Sequence, residues 1–260
     1  MGMSNPAPGR FQGSPLGSPD DQASTGRAVR QMFAVVAPWY DFLNHLLSLG
    51  RDIAWRRATA KALREVLAQP GSLAADVCCG TGDLALALAR YSAGKVMGMD
   101  FCRPMLLRAW RKARWSLRPL FLVEADTLAL PLRDGALDVV GIAFGLRNLA
   151  NYSTGLREMH RVLKPGGSVA ILEFSRVRWP IFGPLFRFYF QRILPRLGTW
   201  ISGIAGPYHY LPDSVSQFPD QESLAGALSA AGFVNVRYQN FTGGIAALHL
   251  GEKPSRRVAG

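Results

Sequence analysis

The sequence has few cysteines, few acidic residues and few histidines. Its three cysteines, two of them adjacent at Cys78 and Cys79, cannot make a disulfide framework, and they lack the paired spacing of a metal site. Eighteen acidic against thirty basic residues leave a formal net charge of +12, which keeps nucleic acid, anionic membranes and acidic ligands open as partners. We therefore expect an intracellular protein without a structural metal.

Long hydrophobic runs are also lacking. The charge-free stretch Trp179–Phe186 is too short to cross a bilayer, and Leu197–Pro212 is broken by glycines and an internal proline. Residues 1–26 lack the basic head and apolar run of a secretory signal and are rich in Gly, Pro and Ser. We expect residues 1–26 and 254–260 to be disordered tails, with an organelle transit peptide as the alternative for the first.

Strand-like and helix-like segments alternate through the middle of the chain. Apolar residues recur at helical spacing over residues 27–70, and short apolar runs such as Val96–Met99 then alternate with helical patterns up to Phe174. This alternation predicts an α/β fold with a doubly wound, mostly parallel seven-stranded sheet. Val234–Phe241 and Ile245–Leu250 predict a closing antiparallel hairpin. We expect one domain over residues 27–253, with an N-terminal helical cap at 27–70 and an aromatic and basic lid insertion at 176–210.

A glycine-rich turn joins the first predicted strand to the following helix. The segment Asp76–Asp83 reads Asp-Val-Cys-Cys-Gly-Thr-Gly-Asp, in which Gly80 and Gly82 let the backbone approach a ligand closely. Asp100 ends the next strand, where a carboxylate can accept hydrogen bonds from both ribose hydroxyls. These residues predict a nucleoside site at the carboxyl edge of the sheet; a tight turn without a ligand is the alternative.

Two ligand classes fit this turn. The spacing Gly80-x-Gly82-x-x-Ala85 also satisfies the looser dinucleotide fingerprint, so a NAD-linked oxidoreductase is one interpretation. A methyl donor is favoured by a third acidic strand end, Glu124-Ala-Asp126-Thr127, which can reach an adenine amino group. It is also favoured by the closing hairpin, which is not the second mononucleotide half of a dinucleotide fold.

Longer motifs extend over about residues 29–253. They are Met32-Phe-x-x-Val-Ala-x-x-Tyr40-Asp-x-x-Asn44, Trp55-Arg56, Phe144-Gly-Leu-Arg-Asn148, Arg161-Val-Leu-Lys-Pro-Gly-Gly167 and Thr242-Gly-Gly-Ile245-x-Ala-Leu-His249. Together they resemble the ubiquinone/menaquinone biosynthesis C-methyltransferase family. Methyltransferases in general share the glycine-rich turn and the Lys-Pro-Gly-Gly segment, whereas the Phe-Gly-Leu-Arg-Asn string and the final Thr-Gly-Gly segment are more selective.

The resemblance implies a class I, Rossmann-like methyltransferase that moves a methyl group from S-adenosyl-L-methionine to a ring carbon of a prenylated quinol. Demethylmenaquinol is the expected acceptor, with a benzoquinol of ubiquinone biosynthesis as the alternative. The resemblance places Gly80, Thr81 and Gly82 beside the methionine part of the donor and Asp100 on the ribose. Asp126 and Thr127 would lie beside the adenine. Many relatives carry Asn in place of Asp126, and either side chain accepts a hydrogen bond from the adenine amine.

The chemistry of the acceptor suggests roles for four further residues. A ring hydroxyl must lose its proton before the ring carbon becomes nucleophilic, and a phenol has a pKa of about 10. Arg147 is the candidate partner of the phenolate, with a structural ion pair as its alternative role. The base is a water oriented by Arg147, or His209. Asn148 and Tyr40 would hydrogen-bond the second ring oxygen, although Tyr40 also fits a core position. The other histidines are expected to pack or to lie at the surface: His45, His160 and His249.

Aromatic and basic residues crowd the segment Arg176–Arg196. Such a segment can settle at a bilayer interface without crossing it, and a prenylated substrate resides in lipid. We expect a cytoplasmic enzyme at the inner face of a membrane, with an organelle as the other location, and without a nucleic-acid partner. A buried cap or a homodimer contact explains the segment equally well. An RNA methyltransferase and a non-catalytic assembly protein remain as other function classes.

Overall fold

The computed structural model describes residues 19–116, 118–177 and 206–255, together with Gly183, Arg192 and Arg196. The predicted lid at 176–210 therefore lies mostly outside the described residues, although its last five residues begin a helix. Among the described helices, none combines the length and the apolar character needed to cross a membrane.

Four helices precede the sheet, namely α1 (Pro19–Val36), α2 (Tyr40–Leu47), α3 (Arg51–Ala62) and α4 (Arg64–Leu67). The expectation of a disordered tail is wrong for residues 19–26, which form the first two turns of α1. Proline suits the first position of a helix, acidic residues are favoured in the first turn of helices in general, and the sequence has Asp20 and Asp21 directly after Pro19. These helix-start signals were hidden by the Gly, Pro and Ser content of the segment around them.

Strands and helices alternate after residue 72, as the apolar pattern predicts. The elements are β1 (Leu73–Val77), α5 (Asp83–Ala89), β2 (Lys95–Asp100), α6 (Arg103–Ala113), β3 (Leu120–Glu124), β4 (Leu137–Ala143), α7 (Tyr152–Val162), β5 (Leu163–Phe174), α8 (Gly206–Gln217), α9 (Gln221–Ala230), β6 (Val234–Phe241) and β7 (Ala246–Glu252), with short 3-10 helices at Leu146–Asn148 and Thr242–Gly244. Side chains fix two helix starts, because Asn151 and Asp220 accept hydrogen bonds from the third residues of α7 and α9.

The seven strands of the described residues form one sheet in the order β3-β2-β1-β4-β5-β7-β6. Pairs from β3 to β5 are parallel, whereas β7 runs antiparallel to both β5 and β6. This confirms the doubly wound fold and its closing hairpin. The chain passes from β1 to β2 on one side and later returns to β4 on the other, so the strand order reverses at β1. Ligands bind at such switch points, beyond the carboxyl ends of the strands.

β5 begins with an irregular stretch. Leu163 already pairs with Leu137, and the register then shifts so that Ser168 pairs with Val139. The intervening Lys164-Pro-Gly-Gly167 segment makes the bulge, with Gly166 at a φ of +80° that favours glycine. The Lys-Pro-Gly-Gly segment of the quoted motif therefore lies within the span of the strand.

Candidate active site

A cavity of about 320 Å³ lies at the switch point of the sheet. One wall consists of residues that follow β1, β2, β3 and β4, and they include Gly80, Asp100, Asp126, Thr127 and Phe144. The N-terminal helices complete the lining with Gly26, Arg27, Arg30, Tyr40 and Arg56. Five of the six residues predicted to bind the donor thus lie around one space, and they come from three separate segments. The sixth, Gly82, is not among the described residues that line the cavity.

The glycine turn after β1 requires glycine for reasons of packing as well as conformation. Gly82 precedes α5 with a φ of +86°, and a Cβ atom there would lie 3.1 Å from the Cβ of Ala109 in α6. Gly80 also has a positive φ, of +53°, and an added Cβ would approach the ring of Tyr40 at 3.9 Å. Gly82 therefore lets α6 pack closely on the turn, whereas at Gly80 the left-handed backbone is what favours glycine.

Two buried carboxylates hold this turn. Asp100 accepts hydrogen bonds from the backbone N–H of Gly80 and of Cys102, each at 2.8 Å, and burial raises its pKa to about 6. Asp76 accepts one from the N–H of Ala85 at 2.8 Å, while its other oxygen, Oδ1, has no hydrogen-bond partner among the described residues. Burial raises the pKa of Asp76 well above its usual range. Both carboxylates line the cavity.

Thr81 belongs to a hydrogen-bond network that joins the turn to α2 and α6. Its hydroxyl donates to Asp41 at 2.5 Å and accepts from Lys112 Nζ at 2.9 Å. Lys112 also forms ion pairs with Asp83 at 2.5 Å and with Asp41 at 3.0 Å. Because the Thr81 side chain is buried and already paired, its clearest structural role is to hold the turn against both helices.

Asp126 and Thr127 lie after β3, on the cavity wall. Thr127 is buried, and its hydroxyl lies 3.2 Å from the Cys78 sulfur. One Asp126 oxygen accepts from the N–H of Leu128 at 2.9 Å at an exposed position. On the same side Arg30 of α1 forms an ion pair with Glu124 at 2.5 Å, so α1 closes over this end of the cavity.

Tyr40 lies at the start of α2 and lines the cavity, with its ring edge-on to Phe33 at 5.9 Å between centroids. Burial raises the pKa of Tyr40, and the nearby charges of Arg147 and Arg56 act in the lowering direction. The hydroxyl is thus within electrostatic reach of two arginines. Tyr40 thus packs against Phe33 and also lines the cavity, and its hydrogen bond to a ring oxygen stays a prediction.

Arg147 takes the ion-pair role that was its alternative. Its guanidinium donates to Glu173 at 2.7 Å and to the Phe144 carbonyl at 2.6 Å, and it stacks on the Phe174 ring at 5.3 Å. Arg147 is not among the described residues that line the cavity, whereas Asn148 is. Asn148 donates to the Phe144 carbonyl at 3.2 Å and accepts from the hydroxyl of Tyr210 at 3.0 Å.

Arg56 of α3 is the buried arginine that does line the cavity, and the prediction missed it as a site residue. Its guanidinium lies over the Phe144 ring at 5.1 Å and pairs with Asp52. Asp52 is held in turn by His45 at 2.9 Å and by Ser48 at 2.7 Å. Although burial opposes ionisation, Arg56 and these hydrogen bonds lower the pKa of Asp52. Asp52 therefore stays charged and anchors the arginine.

The histidines divide as follows. His160 packs edge-on against Phe233 at 5.1 Å, and His249 is buried beside the Gln221 carbonyl at 2.9 Å, which confirms their packing role. The side chain of His209 lies outside the described residues, although its backbone belongs to α8. Its assignment as a base stays a prediction.

Comparison with known proteins identifies the family of the chain. The sequence profile of the ubiE/COQ5 methyltransferase family matches residues 21–253. The chain belongs to the ubiE/COQ5 methyltransferase family. The chain is 49% identical to the demethylmenaquinone methyltransferase of Thermus thermophilus over 86% of this chain and all of that protein, and 46% identical to that of Deinococcus radiodurans over 90% and 95%. Its fold is similar to a SAM-dependent methyltransferase from Aquifex aeolicus, with a TM-score of 0.54 and 20% identity over 75% of this chain and 88% of that one.

Three site features of this ubiE/COQ5 family member escaped prediction from sequence. Asp76 belongs to the quoted turn motif but was given no role in the site. Its position near the end of a strand was the signal that could have indicated one. Arg56 is adjacent to Trp55 in another quoted motif, but no local spacing shows that α3 reaches the cavity. Gly26 and Arg27 line the cavity from α1, a helix that was expected to start only after them.

Proposed function

We propose that this protein transfers a methyl group from S-adenosyl-L-methionine to a ring carbon of a reduced, prenylated quinone precursor. Demethylmenaquinol is the first candidate acceptor. The relatives of 49% and 46% identity, which match this chain over nearly their full length, are named demethylmenaquinone methyltransferase. The observation that supports the proposal is the lining of one cavity. Glycine and carboxylates of the kind that bind a nucleoside line it together with aromatic and arginine side chains. A benzoquinol is the second candidate acceptor.

The donor side of the cavity fits S-adenosyl-L-methionine. Asp76 Oδ1 is a buried acceptor without a partner among the described residues, which suits the amino group of the methionine part. Gly80 lines the cavity with bare backbone beside Tyr40, which leaves room that a side chain would narrow. Asp100 would hold the ribose hydroxyls, and Asp126 would accept from the adenine amine. When bound, this co-substrate supplies an electrophilic methyl group on a positively charged sulfur.

The acceptor side would stabilise a phenolate next to that cation. Arg56 presents a permanently charged, donor-rich group at the cavity wall, and we assign it as the arginine nearest the phenolate oxygen. Arg147 holds the Phe144–Asn148 turn, and its charge acts in the direction that lowers the pKa of the Tyr40 hydroxyl. Tyr40 and Asn148 would hydrogen-bond the ring oxygens, and Phe144 would pack on the ring. The site then aligns carbon, methyl and sulfur in a water-poor space.

Transfer in solution tests the proposal. The purified protein, S-adenosyl-L-methionine and a short-chain demethylmenaquinol are incubated in detergent, and the ring product is followed by mass spectrometry. We expect the reduced ring to gain one methyl group and the oxidised quinone to gain none, because only the hydroquinone can form a phenolate. The proposal fails if the protein binds the donor but methylates neither the naphthoquinol nor a benzoquinol, and methyl transfer to RNA would replace it.

A further inference from the structure

The outer face of α6 carries large apolar side chains that the fold leaves exposed. Leu107 is 52% exposed, Trp110 is 54% exposed and Trp115, just beyond the helix, is 88% exposed. Positions 107, 110, 111 and 114 fall on one face because they are three or four residues apart, while Met105 and Ala109 are buried on the other face. We call Leu107, Trp110, Arg111, Arg114, Trp115 and Arg118 the α6 surface.

Charge in this region is of one sign. The chain has six basic and no acidic residues between Asp100 and Glu124. Lys112 turns inward to its carboxylate partners, whereas Arg111, Arg114 and Arg118 are exposed. The Arg114 guanidinium lies over the Trp110 ring at 5.2 Å, and nearby Lys95 lies over exposed Phe121 at 5.7 Å. Cations and aromatic rings therefore alternate on the surface itself.

Single exposed apolar residues are common on proteins, but this surface gathers them on a polybasic helix. We propose that the α6 surface docks on an anionic phospholipid bilayer. Tryptophan and leucine partition into the headgroup region, and flanking arginines attract anionic lipid. A nucleic acid could stack on the tryptophans, yet it would gain nothing from the exposed Leu107 on the same face.

Docking here would serve the reaction, an argument that rests on the proposed function. Met105, on the inner side of α6, lines the cavity, and Lys112 joins the same helix to Thr81. One helix, roughly 10 Å across, thus separates the bilayer contact from the site. A prenylated acceptor could present its ring to the cavity while its chain stays in lipid.

Flotation with vesicles tests the docking surface. The full chain is mixed with vesicles of phosphatidylcholine alone or of phosphatidylcholine and phosphatidylglycerol in equal parts, at low salt. Trp110→Ser/Trp115→Ser should weaken binding about tenfold or more on the anionic vesicles. Arg111→Gln/Arg114→Gln should weaken it about 25-fold on anionic vesicles, at about fivefold per arginine, and should remove most of the preference for them.

The matched control is Arg133→Gln/Arg157→Gln, which removes the same charge from exposed positions elsewhere in the chain. It should change binding less than about twofold, because these residues lie outside the α6 surface. All variants should keep the melting temperature of the parent chain and its methyl transfer to a short-chain acceptor in detergent. If the parent chain lacks that transfer, the proposed function fails, whatever the vesicles show.

Three results would overturn the docking proposal. The α6 variants could bind anionic vesicles as tightly as the parent chain. Binding could instead be lost only in Phe186→Ser/Phe190→Ser, which would assign the membrane contact to the Arg176–Arg196 segment. Single-stranded RNA could bind the parent chain more tightly than the vesicles do and displace it from them, which would make the α6 surface a nucleic-acid site.

Discussion

Replacement of Asp100 by asparagine should weaken binding of S-adenosyl-L-methionine about 100-fold. Each Asp100 oxygen accepts one backbone N–H at 2.8 Å, which leaves each with a free lone pair toward the cavity for a ribose hydroxyl. A hydrogen bond to a charged acceptor is worth about 1.5 kcal/mol more than a neutral one, so two such bonds lose about 3 kcal/mol. The new amide NH2 would also face the N–H of Gly80 or Cys102, donor against donor.

Isothermal titration calorimetry measures this loss, and Asp126→Asn is the matched control. An amide oxygen at position 126 still accepts from the adenine amine and from the N–H of Leu128, so its dissociation constant should change less than about threefold. Equal affinities of Asp100→Asn and the parent chain would refute the assignment of the ribose to Asp100.

The pH dependence adds a second signature for Asp100. Burial raises its pKa to about 6 in the free protein, so the neutral form prevails below that pH and the carboxylate above it. If ribose hydroxyls favour the carboxylate, donor affinity should fall as the pH drops through about 6. Asp100→Asn should not show this fall. For stability the sign is opposite: the raised pKa favours the folded state at acidic pH, and that contribution is lost as the pH rises through about 6.

The remaining predictions concern stability, and urea denaturation measures them. Gly82→Ala and Gly71→Ala should each cost about 1–2 kcal/mol because both glycines have left-handed backbone, at φ values of +86° and +74°. Gly82→Ala should lose more stability than Gly71→Ala, because its added Cβ would also meet Ala109. Equal losses would contradict that packing argument. Glu173→Gln should cost about 2 kcal/mol by weakening the buried pair with Arg147. No loss would show that Arg147 does not need this partner.

The strands of the sheet could be predicted because most of them are visible in the sequence as short apolar runs. The run Val96–Met99 lies within β2 (Lys95–Asp100), and the turn after β1 has left-handed backbone at the two positions where the sequence has glycine, Gly80 and Gly82. The order of the strands is set by which sheet faces and edges the helices cover, so no single segment reveals that β7 inserts between β5 and β6. The start of α1 was misjudged because Gly, Pro and Ser content outweighed the helix-start signals at Pro19.

The residues of the candidate site likewise fall into those that could be predicted from sequence and those that could not. Gly80, Asp100 and Thr127 follow strands whose ends meet at one edge, so their convergence follows from a parallel sheet. The positions of Arg56 and Arg147 depend on tertiary contacts. A sequence cannot show which of the two arginines will form an ion pair with a buried carboxylate such as Glu173. The structure resolves that choice, since Arg147 is paired behind the cavity wall and Arg56 lines it.

The quinones of cells that lack this protein test the central claim most directly. If the protein methylates a quinol ring, extracts analysed by liquid chromatography and mass spectrometry should contain the desmethyl quinone in place of the methylated one. A plasmid copy of the gene should restore the methylated form, and the Asp100→Asn copy should restore less. A normal quinone profile in the deleted cells would contradict the claim.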